Sequence, residues 1–273
     1  MATEHARAVI GFGPVHREDL MHHGWPERLW IVRHGESAGN VARAAATAAG
    51  LAWIDIAERD VDVDLSALGE RQSRSLGRWF ADLPPDDRPE VVVTSPYRRA
   101  RRTAEIVRQV GGYHPDHELL IDERLREKEF GILDRLTTVG IRERHPDQAE
   151  FRRILGKFYH RPPGGESWCD AILRLRSALD TIGIRHSGRR VLVVSHQVIV
   201  LCMRYLVENM TEEQILAIDR EGDVANCGLT EYRFDPELGK DGGLRLSRYN
   251  FTVPLEEEGT PVTTEPDAKV AAA

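Results

Sequence analysis

The run Leu29-Trp30-Ile31-Val32, ending in Arg33-His34-Gly35-Glu36-Ser37, constrains the chain more than any other stretch. Four consecutive apolar residues without helical spacing predict a short strand covered on both faces, as in a parallel sheet packed between helices. In an open sheet of that kind the crevice lies at the carboxyl ends of the strands, so Arg33 and His34 are placed to face a pocket. Val191-Leu192-Val193-Val194-Ser195-His196 repeats the design, and two strands thus deliver one histidine each to the same edge. A third strand, Val91-Val92-Val93-Thr94, leads through Ser95-Pro96-Tyr97 into Arg98, Arg99, Arg101 and Arg102. Here a helix from Pro96 to about Val110 is predicted, with Ser95 as its cap. One histidine at a strand end is ordinary; two, with arginines from two strand ends, point to anion chemistry.

Arg33-His34-Gly35-Glu36 with Asn40, Ser95-Pro96 before Arg99-Ala100, Leu125-Arg126-Glu127 before Phe130-Gly131, and Ser195-His196 follow in a characteristic order. That order resembles the histidine phosphatase superfamily, which includes the cofactor-dependent phosphoglycerate mutases, and it covers about residues 29 to 234. Within the superfamily the chain looks most similar to the phosphoglycerate mutase-like branch, through its Arg-Glu-x-x-Phe-Gly and Pro-x-Gly-Glu-Ser segments. The resemblance implies an α/β three-layer sandwich with a mostly parallel central sheet, helices on both faces, and a helical lid at about 133–161. It singles out Arg99 among its neighbours and Glu127 within the charged run Glu127-Lys128-Glu129. Asn40, Glu36 and Gln197 are the further substrate contacts it suggests.

A phosphate monoester is a dianion, so a site that attacks it must offset that charge first. Arg33 and Arg99 supply permanently charged planar donor forks, and His196 can add a hydrogen bond. His34 is the expected nucleophile, since an imidazole with a reference pKa of roughly 6.5 is available as the neutral base near pH 7. Attack on phosphorus gives a phosphohistidine, and Glu127 is the candidate to protonate the leaving alkoxide and then activate water. To hold its proton at neutral pH that carboxyl would have to be partly buried. No metal or cofactor is called for.

Phosphatase and mutase share every step up to the phosphohistidine. The mutases of the superfamily carry an asparagine where this chain has Val198 and a pocket lysine where it has Thr138. The paired arginines of their lid find no clear counterpart before Pro162, so the expectation is a phosphatase. The alternatives are a mutase, or a phospholigand-binding protein that has lost turnover; the intact set Arg33, His34, Arg99, Glu127 and His196 speaks against the last. Gln197, where the family often has glycine, is a departure at the floor of the pocket. The substrate is expected to be a small phosphorylated molecule, with a phosphoprotein as the other possibility, and the sequence is silent on oligomeric state.

At 273 residues the chain can bury one large core without disulfides. Its three cysteines lack Cys-x-x-Cys spacing, which fits reduced thiols in a cytoplasm. The formal charge of −7 gathers toward the carboxyl end, where Glu256, Glu257, Glu258, Glu265 and Asp267 face only Lys269. No broad basic face exists for nucleic acid, and the apolar stretch from Val191 to Val207 is interrupted by His196, Gln197 and Arg204, so no membrane span is expected. The expected division is an extension over residues 1–28, an α/β domain over 29–253, and an acidic disordered tail over 254–273. His22-His23 reads as a surface pair, and Pro162-Pro163-Gly164-Gly165-Glu166-Ser167 as a loop whose Ser167 and Asp170 cap a helix to His186. Glu166 is assigned to the pocket rim.

Overall fold

The computed structural model describes residues 24–113 and 119–265, so the expected extension lies almost wholly outside the described residues. Six strands form one sheet: β1 (Arg28–Arg33), β2 (Val91–Thr94), β3 (Leu119–Ile121), β4 (Arg190–Ser195), β5 (Leu229–Asp235) and β6 (Gly243–Phe251). Their order is β3-β2-β4-β1-β5-β6, with β1 to β4 mutually parallel and β5 and β6 added antiparallel at one side. The expected α/β architecture is present, with a mostly parallel sheet at its centre.

Alternation along the strands separates two cores. Leu29 and Ile31 of β1, with Val191 and Val193 of β4, pack under α6 (Trp168–Arg185) and α7 (Gln197–Val207). Trp30 and Val32, with Leu192 and Val194, pack under α2 (Ala67–Asp82) and α3 (Arg98–Val110). Every side chain from Leu29 to Val32 is completely buried, which is why the run carries no polar alternation. Each fully buried Leu, Ile or Val of these strands contributes roughly 1.5–3 kcal/mol relative to an exposed one.

Local chemistry sets the helix ends much as the sequence implies. Ser37 and Asn40 form a capping box on α1 (Ala38–Ala48), Ser66 caps α2, and Ser167 with Asp170 boxes the start of α6. Gly50, at φ +64, follows the end of α1 in the left-handed conformation that glycine adopts without penalty. The predicted helical insertion is two helices, α4 (Thr138–Arg144) and α5 (Pro146–Tyr159), the second kinked at Gly156. Two further helices, α8 (Glu212–Glu221) and α9 (Val253–Glu256), carry no strong sequence signal.

Two expectations are corrected. Helix α3 starts at Arg98 rather than Pro96, and its N-cap is Tyr97; the Ser95 hydroxyl pairs with His196 and accepts from Tyr97 N–H, ahead of the helix. The tail is not without structure from 254: α9 buries Pro254 and Leu255 against α2, and residues up to 265 are held by hydrogen bonds. Leu255 is the anchor that the acidic composition conceals. Residues 266–273 lie outside the described residues. Among the described residues no helix is long and apolar enough to cross a membrane.

Candidate active site

The parallel register aligns Arg33 with Ser195 across β1 and β4, and Thr94 with Val194 across β2 and β4. The residues that follow, His34, His196 and Ser95, therefore emerge side by side. The two imidazoles lie 5.1 Å apart, centroid to centroid. His34 N–H donates to Ser195 O (2.9 Å) and Asn226 Nδ2 donates to His34 O (3.0 Å), so the backbone bearing the imidazole is tied on both sides.

His34 Nδ1 lies 2.7 Å from the Gly35 carbonyl oxygen, which can only accept. Nδ1 therefore carries the proton, and Nε2 presents its lone pair. Arg99 Nε donates to that lone pair at 3.1 Å, as a neutral imidazole requires. Gly35 is needed for space: a Cβ there would meet Gly69 O at 2.5 Å, where the start of α2 packs onto the loop.

Both arginines are buried and oriented by the chain itself. Arg33 Nη1 donates to Val224 O (2.6 Å), and Nη2 donates to the Glu265 carbonyl. Arg99 Nη1 donates to Asp60 O (2.6 Å) and Asp60 Oδ1 (3.0 Å), and its guanidinium lies over the Tyr97 ring. Helix α3 turns Arg98 and Arg102 outward, where they pair with Asp64 and Glu70, and turns Arg99 in. His196 Nε2 is hydrogen-bonded to Ser95 Oγ (2.8 Å).

Glu127 is only 1% exposed, so the burial its expected role demands is present. Its Oε1 accepts from Lys128 N–H (2.7 Å), and Arg174 Nη2 donates to its carbonyl. A narrow cleft open to solvent reaches down to Asn40, Arg99 and Glu127. Its outer wall brings Arg43, Arg135, Glu58, Asp60 and Asp134 around Ile54, Ile56 and Phe130. Arg33, His34 and His196 have no exposed surface and sit beneath the floor of this cleft.

The structure gathers Arg33, His34, Asn40, Arg99, Glu127 and His196, but not Glu36 or Gln197. Glu36 accepts from Ser66 Oγ (2.5 Å), so it braces α2. Gln197 Nε2 donates to Asp223 Oδ1 (2.7 Å), and neither residue lines the cleft. Glu166 is likewise a brace, ion-paired with Arg126 and Arg174, not a rim residue. Sequence reasoning missed Asp60, Ser95 as the partner of His196, and Asn226. In the sequence Asp60 is only the first of the closely spaced Asp60, Asp62 and Asp64, and Ser95 reads as a helix cap.

Lys128 was set aside as part of a charged run, yet it is 6% exposed, with its ammonium 4.5 Å from the centroid of the Phe130 ring. Burial, then the nearby positive charge of Arg152, push its pKa down to about 8. Between about pH 8 and 10.5 the unfolded chain binds this proton and the folded one does not, so this group makes stability rise with pH across that window. Lys128→Met, similar in volume, should stabilise the fold by roughly 3 kcal/mol at pH 7. The gain should shrink as pH climbs toward 10.5. Urea unfolding at pH 7 and pH 10 checks this; a gain independent of pH, or a loss, refutes it.

Comparison with known proteins agrees with this geometry. The sequence pattern of the histidine phosphatase superfamily (branch 1) matches residues 29–250. A probable phosphoglycerate mutase GpmB from Photorhabdus laumondii is 28% identical over 215 residues, covering 77% of this chain and 87% of that protein. Its counterpart in Escherichia fergusonii is 30% identical over 178 residues, covering 64% and 72%. Among solved structures, YhfR of Bacillus stearothermophilus superposes with a TM-score of 0.62 at 26% identity, covering 81% of this chain and 95% of its own. A mycobacterial glucosyl-3-phosphoglycerate phosphatase in complex with VO3 shares the fold, with a TM-score of 0.62 at 23% identity, covering 82% and 99%. With the family pattern matched over residues 29–250 and the paired histidines at the sheet's carboxyl edge, the chain belongs to the histidine phosphatase superfamily.

Proposed function

We propose that the protein is a phosphatase that hydrolyses a phosphate monoester through a phosphohistidine on His34. The observation that carries this reading is the buried neutral imidazole whose Nε2 lone pair faces Arg99 Nε at 3.1 Å. An arriving phosphoryl oxygen takes over that Arg99 donor, and phosphorus then faces Nε2. Arg33, Arg99, Asn40 and His196 hold the phosphoryl oxygens as negative charge redistributes in the transition state. The Nε2–P bond forms as the ester P–O bond breaks, and Glu127 gives its proton to the departing oxygen. Water then attacks phosphorus, Glu127 takes its proton, the N–P bond breaks and inorganic phosphate leaves. The leaving group is chosen by the outer wall of the cleft, from Arg43, Ile54, Ile56, Phe130 and Arg135, rather than by α4 and α5, which contribute no residue to it.

The measurement is phosphate release from a panel of phosphate esters with a chelator present. Release that survives chelation, with acid-labile phosphate trapped on the enzyme, is expected. No release from any ester overturns the phosphatase reading.

A second reading, a phosphoryl-transferring mutase, is favoured by one observation. Lys128, next to Glu127 in the chain, is buried and near enough to Glu127 and Arg152 for their charges to interact, so positive charge stands beside the general acid, as transfer to an acid phosphate would favour. Interconversion of 3-phosphoglycerate and 2-phosphoglycerate without net phosphate release would establish it.

A further inference from the structure

Beyond α9 the chain doubles back along α2 toward the histidine loop. Glu258 pairs with Arg78 (2.6 Å), and Thr260 Oγ1 hydrogen-bonds Ser75 Oγ (2.8 Å). Gln72 Nε2 donates to Pro261 O (3.0 Å) and to Thr263 Oγ1 (2.9 Å). Residues 72, 75 and 78 are three apart, one stripe of the helix, so the segment runs antiparallel to α2 and ends at the loop that α2 packs against. Gln72 cannot flip its amide without cost, because its Oε1 accepts from Glu36 N–H (2.8 Å). Asn226 N–H donates to Thr263 O (2.9 Å), and Thr263 Oγ1 donates to Asn226 Oδ1 (2.9 Å).

This fastening delivers one group into the site. The Glu265 carbonyl accepts from Arg33 Nη2 and from Asn40 Nδ2 (3.2 Å). Those two donors are completely or almost completely buried, and a carbonyl oxygen meets the same hydrogen-bonding demand as a phosphoryl oxygen.

We propose that residues 260–265 are an intramolecular competitor for the phosphoryl group. The proposal rests on the reading that Arg33 and Asn40 bind phosphoryl oxygens. In the strapped form the Glu265 carbonyl holds their donors; a phosphoryl group enters only when residues 264–265 lift away. The exchange favours the dianion at sufficient concentration, because with a phosphoryl oxygen both partners of the Arg33 bond are charged, whereas the Glu265 carbonyl is neutral. At lower concentration the strap weakens apparent affinity by the fraction of molecules that are open. With about a tenth of molecules open, the loss is roughly tenfold.

Two variants test it by calorimetric titration with inorganic phosphate, which needs no turnover. A chain ending at an amidated Thr263, which adds no new carboxylate, keeps the fastening to α2 but lacks the Glu265 carbonyl, and should bind phosphate roughly tenfold more tightly than the full chain. Thr263→Val in the full chain removes the two hydroxyl bonds, from Gln72 Nε2 and to Asn226 Oδ1, while the backbone bond to Asn226 stays, and should shift affinity the same way by a smaller factor. With a turned-over ester, KM should fall by the same factors while kcat holds. Unchanged or weaker phosphate binding in both variants overturns the competitor and makes the segment a passive wall. Arg33→Ala in the shortened chain separates the two ideas: phosphate binding that ignores it would sink the phosphoryl-site reading, and the strap with it.

Discussion

Replacing His34 with alanine is expected to lower kcat by ~10⁴-fold or more, on the scale of losing the nucleophile of other covalent catalysts. Phosphate affinity should stay within a fewfold of wild type. The two effects separate because different atoms supply them. Only Nε2 of His34 is proposed to bond to phosphorus, whereas Arg33 is oriented independently through Val224 O, and Arg99 through Asp60. Removing the imidazole leaves both guanidiniums in place. The variant should also yield no acid-labile phosphoenzyme when quenched during turnover. Activity within tenfold of wild type would remove His34 from the chemistry.

Glu127→Gln should cost about 10²–10⁴-fold in kcat with alkyl phosphates, because Gln keeps the shape and hydrogen-bonding capacity but cannot carry the proton. The buried site makes this a clean comparison: Oε1 accepts from Lys128 N–H, which a Gln oxygen can still do. The loss should depend on the leaving group. With 4-nitrophenyl phosphate the departing oxygen is stable as an anion, so formation of the phosphohistidine should be nearly spared. Its hydrolysis still lacks a base for water, so the variant should show a burst of nitrophenol followed by a slow steady state. An equal loss with both kinds of ester, and no burst, would argue that Glu127 serves only to shape the pocket.

Several parts of this site could be read before the structure. β1 and β4 are legible because strands buried on both faces leave contiguous apolar runs, and a histidine directly after such a run must sit at the strand's carboxyl end. Arg99 was separable from its neighbours through the resemblance; helical periodicity adds only that Arg98 and Arg102 share one face. Glu36 and Gln197 came from the resemblance, and the structure turns both away from the cleft. Glu36 and Gln197 each stand beside a site residue, yet successive residues leave the backbone in different directions, and both turn into the scaffold.

The sequence by itself determined which strands are buried, where they end, and which reactive groups stand at those ends, since burial and capping are set by residues a few positions apart. Only the tertiary structure decided what those groups meet. Asp60 reaches Arg99 across 39 positions, Asn226 reaches His34 across 192, and Glu265 reaches Arg33 across 232. Contacts at such separations leave no periodicity to read. They exist because the parallel register and the packing of α2 bring distant segments to one edge of the sheet, and that is settled only when the whole chain has folded.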